Sequence, residues 1–122
     1  MDAKTILLVD DDTDMIIMEE RWLKKEGYQV VTASSGQEAL DVLKAVKPEL
    51  VLLDYSMPGM DGVATLREIR KDPLTSQLPV FFLTGMEDMN SREIAGELNP
   101  QGFLSKALGK KAVIEAISEF FS

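Results

Sequence analysis

Three acidic positions in this chain stand where a carboxylate can do chemistry. Asp10 and Asp11 follow the run Thr5-Ile6-Leu7-Leu8-Val9, and Asp54 closes the run Leu50-Val51-Leu52-Leu53. Two later runs end at Thr84 and at Lys106. If all four are strands of one parallel sheet, their carboxyl ends share the edge at which open α/β sheets bind ligands. Three carboxylates, a hydroxyl and an ammonium then meet in one cleft. Clustered carboxylates repel unless a cation lies among them, and hard oxygen ligands suit Mg2+. A carboxylate beside such an ion, with an ammonium and a hydroxyl near to neutralise developing charge, is equipped to accept a phosphoryl group. The chain has neither histidine nor cysteine, so the nucleophile would be the carboxylate itself. Asp54 is the leading candidate. A lone Asp after a strand is just as readily a loop cap, and it is the joint placement that favours chemistry.

The elements that must position these residues follow from local pattern. Leu50 to Leu53 is too short for a helix and is bounded by Pro48 and by Pro58-Gly59, which predicts a strand buried on both faces. Thr5–Val9, Tyr28–Ala33, Pro79–Leu83 and Phe103–Ser105 read as the other strands. A helix is expected from Thr13 to Glu26, with Met15, Met18, Trp22 and Leu23, and Ile16 and Ile17 near them, as its apolar stripe and Gly27 as C-cap. Ser35 and Glu38 have the spacing of a capping box and open a helix that reaches Lys47-Pro48. A third helix starts at Asp61 or Gly62 and runs to Lys71, burying Val63, Leu66 and Ile69. A weaker one spans about 88–98, carried by Ile94, Ala95 and Leu98. The last spans Ala112 to Phe121. Five strands alternating with five helices predict an α/β domain with a doubly wound parallel sheet, since a barrel needs eight such units and roughly 250 residues.

Composition narrows the function classes. A chain of 122 residues fits one domain, and 45% apolar with 28% charged residues is ordinary for a globular protein. No apolar run approaches the ~20 residues of a membrane span, and the opening Met1-Asp2-Ala3-Lys4 lacks a signal-peptide apolar region. Without histidine there is no Ser-His-Asp triad, no His-ligated metal and no phosphohistidine on this chain. A cytoplasmic protein with no membrane partner is expected. The net charge of −8 argues against nucleic acid as a direct partner.

The pattern Val9-Asp10-Asp11, Asp54 with Met57-Pro58-Gly59-Met60-Asp61-Gly62, then Thr84 and Lys106, resembles the receiver domain of two-component response regulators. The likeness covers essentially the whole chain, 1–122, in order. It implies a flavodoxin-like fold of the chemotaxis-regulator kind, with strand order 2-1-3-4-5 and five helices. It further implies that Asp54 is phosphorylated by a phosphohistidine on a histidine kinase or histidine phosphotransfer protein. By the same resemblance Mg2+ is held by Asp11, Asp54 and the Ser56 backbone carbonyl, and by Asp10 mainly through water. Thr84 and Lys106 would contact the phosphoryl oxygens, and Phe103 matches the family's switching aromatic. The face made by the helix at 88–98, the fifth strand and the last helix would present the result to a downstream protein partner. Such a protein is not an enzyme beyond its own phosphorylation and dephosphorylation.

This chain departs from the family pattern at Gly85, at Phe103, which lacks a phenol, and at Ala107, where Lys-Pro is usual. A trans Lys106-Ala107 bond is expected. Two other readings remain open at this stage. One is a receiver-like module that binds partners without regulated phosphorylation. The other is an aspartyl-phosphate hydrolase of the haloacid dehalogenase type, whose Asp-x-Asp signature is only partly met by Asp10-Asp11-Asp12-Thr13-Asp14. No DNA-binding or enzymatic output domain is expected within these residues.

Overall fold

The strand that ends on Asp54, β3 (Leu50–Asp54), is buried at all five positions, as its unbroken apolar run requires. The computed structural model describes residues 3–55, 57–84, 98–105 and 109–122. Around β3 lie β1 (Thr5–Val9), β2 (Gln29–Ala33), β4 (Val80–Thr84) and β5 (Gly102–Ser105). They form one sheet in the order β2-β1-β3-β4-β5, with every neighbouring pair parallel. The described helices are α1 (Thr13–Lys25), α2 (Gly36–Leu43), α3 (Gly62–Lys71) and α4 (Gly109–Phe121). Four helices are thus present among the described residues, not five. The helix expected over 88–98 falls outside them except at Leu98, which lies in a turn. None of the described helices is long and apolar enough to cross a membrane.

Two apolar layers explain why the central strands do not alternate with polar residues. On one face Leu7, Val9, Val51, Leu53 and Phe82 pack with Ala39 of α2 and with Leu66 and Ile69 of α3. On the other Ile6, Leu8, Leu50, Leu52, Phe81 and Leu83 pack with Ile16 and Leu23 of α1 and with Val113 and Ile117 of α4. Each residue along β1 and β3 therefore meets a helix layer whichever way it points.

The helices differ from expectation in three places. In α1 the buried positions are Ile16, Glu19 and Leu23, while Ile17 is 49% and Met18 39% exposed. Met15 to Met18 is apolar around a full turn, so periodicity alone does not orient it. Packing chose Ile16, and helical spacing then buried Glu19.

The helix α2 stops at Leu43, short of Pro48. The Lys44 N–H donates to the Asp41 carbonyl at 3.2 Å, which tightens the exit. By Glu49 the chain already pairs with the Thr5 carbonyl at 2.8 Å, and Pro48 bars Lys47 from helix. The last helix begins at Gly109, three residues before the expected Ala112. Burying Val113 and Ile117 outweighs the roughly 0.3–1 kcal/mol that a lysine costs against the helix dipole.

Candidate functional site

The strand order itself creates the site. From β1 the chain passes to β2 on one side and then returns to β3 on the other, so the connections diverge at the carboxyl ends of β1 and β3. That divergence opens the crevice in which doubly wound sheets bind ligands. Asp10 and Asp11 leave β1 there, and Asp54 is the last residue of β3, one step past the Val9–Leu53 pair.

Carboxylate oxygens of Asp10, Asp11 and Asp54 lie within 4.8 Å of one another. Asp10 is fully buried and Asp54 is 3% exposed, whereas Asp11 faces solvent. Like charges at this spacing repel by on the order of a few kcal/mol per pair near a protein surface. Three hard oxygen donors, one of them open to water, are a donor set that fits Mg2+. The other acids after β1 have different employment. Asp12 caps α1, its Oδ1 accepting the Asp14 and Met15 N–H groups at 3.0 and 3.2 Å. Its own N–H donates to Asp10 Oδ1 at 2.9 Å, which orients the buried carboxylate. Asp14 is exposed in the first turn of α1.

The far side of the crevice comes from β4 and β5. Thr84 ends β4, 4% exposed, and pairs in register with Ser105, the last residue of β5. Phe103 is half-buried, one pleat earlier on the same face. Lys106 and Ala107 follow Ser105 directly but lie outside the described residues, as does Ser56, so their expected roles and the expected Lys106-Ala107 geometry carry no structural statement.

The floor of the crevice depends on Gly62, the first residue of α3. A Cβ placed there would stand 2.6 Å from the Asp54 carbonyl oxygen and 2.8 Å from Tyr55 Cα. The Gly62 N–H donates to the Tyr55 carbonyl at 3.0 Å. Asp61 caps α3 with its carboxylate on the Ala64 N–H at 2.8 Å. Gly59, at φ 75, takes a left-handed turn that a side chain would strain. The run Pro58-Gly59-Met60-Asp61-Gly62 thus folds α3 back against the phosphoacceptor candidate.

Residues not singled out from the sequence pack behind the crevice (Tyr55 and Phe82) and brace the opposite, amino-end edge of the sheet (Arg70). Tyr55 packs edge-on against Phe82 with ring centroids 5.1 Å apart, and Phe82 stacks on Phe103 at 5.4 Å. Arg70, at the end of α3, donates to the carbonyls of Leu78, Leu98, Asn99 and Thr75 at 2.8, 2.8, 3.1 and 3.4 Å. Burial pushes its guanidinium pKa down from the usual arginine value. Phe82 and Phe103 occupy paired positions only once the register is known, so nothing local in the sequence joins them. Arg70 had no signal in the sequence either, because its acceptors are all backbone.

Comparison with known proteins agrees with the geometry. The model of the response regulator receiver domain family matches residues 6–118. The alkaline phosphatase synthesis transcriptional regulatory protein PhoP of Bacillus subtilis (strain 168) is 31% identical over 110 residues, covering 90% of this chain and 45% of that protein. The chain therefore spans less than half the length of the curated relatives it matches. The Vibrio cholerae chemotaxis protein CheY4 superposes with a TM-score of 0.91 over 97% of this chain and 98% of its own, and at 23% identity that likeness speaks to the fold. The phosphorylated cyanobacterial phytochrome response regulator RcpA gives 0.86 at 27% identity, over 98% of this chain and 94% of its own.

These relatives do not support the expectation of no direct nucleic-acid partner, because PhoP is a transcriptional regulatory protein. The charge of −8 speaks only for the surface of this stretch. With the match running from β1 through nearly all of α4, the chain belongs to the response regulator receiver domain family.

Proposed function

We propose that this chain is a phosphorylatable receiver in which the Asp54 carboxylate accepts a phosphoryl group from a phosphohistidine on a histidine kinase or histidine phosphotransfer protein. The observation that carries the reading is the convergence of Asp10, Asp11 and Asp54 at the point where the β1 and β3 connections diverge. That RcpA is described in a phosphorylated state supports it by analogy. A carboxylate oxygen of Asp54 attacks phosphorus, the phosphorus–nitrogen bond of the donor breaks, and the imidazole leaves with the bonding pair. The product is an acyl phosphate on Asp54.

Asp10, Asp11, Asp54 and the Ser56 carbonyl would hold Mg2+, which supplies charge neutralisation at the phosphoryl oxygens. The chain's own residues do the rest. The Asp12 N–H orients Asp10, Gly62 seats α3 against Asp54, and burial excludes bulk water from the acceptor. Thr84 and Lys106 are assigned to the phosphoryl oxygens and Phe103 to the switch. A downstream protein partner would read a face that includes β5 and α4, while the contribution expected of residues 88–97 lies outside the described residues. Covalent chemistry is confined to Asp54, and the setting is cytoplasmic. The domain takes in residues 1–122.

The test is labelling by a small phosphodonor with and without Mg2+, in the wild type and in Asp54→Asn. Mg2+-dependent label in the wild type alone is expected. Equal label in Asp54→Asn would overturn the acceptor assignment. A folded wild type that takes no label would favour a binding module without phosphorylation, and continuous turnover of the donor would favour a hydrolase.

A further inference from the structure

We propose that Tyr55, Phe82 and Phe103 form a packed line of rings that carries the state of the Asp54 site to β5, with Phe82 as the positioning residue at its centre. The inference rests on the phosphoacceptor reading and extends it to side chains with no reactive group.

Tyr55 follows Asp54 directly, and its backbone is held on both sides. Its N–H donates to the Leu83 carbonyl at 2.9 Å, and its carbonyl accepts the Gly62 N–H at 3.0 Å. On the Gly62 side there is not even room for a methyl group, with Tyr55 Cα 2.8 Å and its carbonyl oxygen 2.9 Å from where a Cβ would be. The residues on either side of Tyr55, Asp54 and Ser56, are both assigned to the cation. A shift of this backbone on cation or phosphoryl binding therefore has one compliant outlet, the Tyr55 ring.

That ring is 8% exposed and meets Phe82 at 5.1 Å with planes 69° apart. Phe82 is fully buried, so it has no solvent side to retreat to. It stacks on Phe103 at 5.4 Å and 24°, and the two are direct partners across the β4–β5 ladder. Thr84 and Ser105 are the next pair on the same face. Protein interiors are as dense as molecular crystals and pass on a displacement rather than absorb it. Phe103 is half-buried, so it is the end of the line that can move, and packed elements move between discrete arrangements.

The neighbouring Phe81 provides a control within the same strand. It faces the opposite layer and packs edge-on against Phe120 at 5.9 Å.

The experiment follows the Phe103 ring by aromatic 1H–13C NMR in free protein, with Mg2+, and with Mg2+ plus phosphoramidate. Asp54 labelling is measured in the same samples. In the wild type the Phe103 signals should shift on phosphorylation. Phe82→Leu should lose at least half of that shift while its label at Asp54 stays within twofold, and Phe81→Leu should keep both. Tyr55→Leu serves as a second interruption should Phe82→Leu fail to fold, and should blunt the shift likewise. A full shift in folded Phe82→Leu or Tyr55→Leu, or an equal loss in Phe81→Leu, overturns the line. A wild type that takes no label refutes the phosphoacceptor reading instead. The line is then judged on the Mg2+ titration alone, where the same order of variants is required and an unmoved Phe103 ring refutes it.

Discussion

Gly62 approaches Asp54 so closely that a Cβ on it would stand 2.6 Å from the Asp54 carbonyl oxygen, inside any permissible contact. The neighbour is backbone and cannot rotate away. Gly62→Ala would gain at most about 1 kcal/mol of helix propensity, and less at the first position of a helix. Overpacking costs about 1–3 kcal/mol. A net loss of about 1–2 kcal/mol in urea unfolding is therefore expected, together with slower labelling of Asp54. A stabilised Gly62→Ala would show that α3 can slide off the strand end.

The division of labour among the acids after β1 gives a paired test. Mg2+ should raise the melting temperature of the wild type, and raise it less in Asp11→Ala, because Asp11 shares the carboxylate cluster. Asp12→Ala should lose about 1 kcal/mol from the α1 cap, yet keep the full Mg2+ shift. Equal Mg2+ shifts in wild type and Asp11→Ala would remove Asp11 from the proposed ligands.

Location of the label can be read chemically. Borohydride reduction of the acyl phosphate followed by mass spectrometry should mark Asp54, the only member of the cluster that ends a central strand. A mark on Asp10, Asp11 or Asp12 would sink the assignment.

Arg70 ties the loop after α3 to the turn before β5 through four carbonyls. Hydrogen bonds to a charged donor each contribute roughly 1.5–3 kcal/mol and do not add simply. Arg70→Met keeps the aliphatic packing but removes the donors. It should cost about 2–3 kcal/mol in denaturant unfolding, and a change below about 0.5 kcal/mol would mean that water replaces the guanidinium without loss.

The Ser34 hydroxyl, and then the Ser34 N–H, hold the Glu38 carboxyl below its ordinary 4.5. A carboxyl lowered on folding contributes stability that is fully present above its unfolded value and is lost as pH falls through the folded one. The advantage of wild type over Glu38→Gln in urea midpoint should therefore be constant above about pH 5.5 and shrink as the pH drops below 4.5. The effect is small because the pair is exposed to water. An advantage that grows on acidification would contradict the bond.

Much of this protein could be read from local pattern. Leu50 to Leu53 and Ile6 to Val9 are apolar without alternation, which only a strand covered on both faces requires, and the residues that directly follow these runs are Asp54 and Asp10. The order of strands and helices then implies one parallel sheet, whose carboxyl ends share an edge. Local pattern placed Leu23 inward but could not orient the first turns of α1, because Met15 to Met18 is apolar all round and only packing against β1 and β3 selects Ile16. Ser35 caps α2 as its spacing from Glu38 implied, accepting the Glu38 N–H, but local pattern could not tell that the Glu38 carboxylate would accept from the Ser34 N–H and hydroxyl. Gly62 under Asp54, Arg70 on its carbonyls, and the rings of Tyr55, Phe82 and Phe103 in one line depend on contacts between segments far apart in the chain. Periodicity decides what each segment is; register and close packing, which are properties of pairs of segments, decide what each side chain meets.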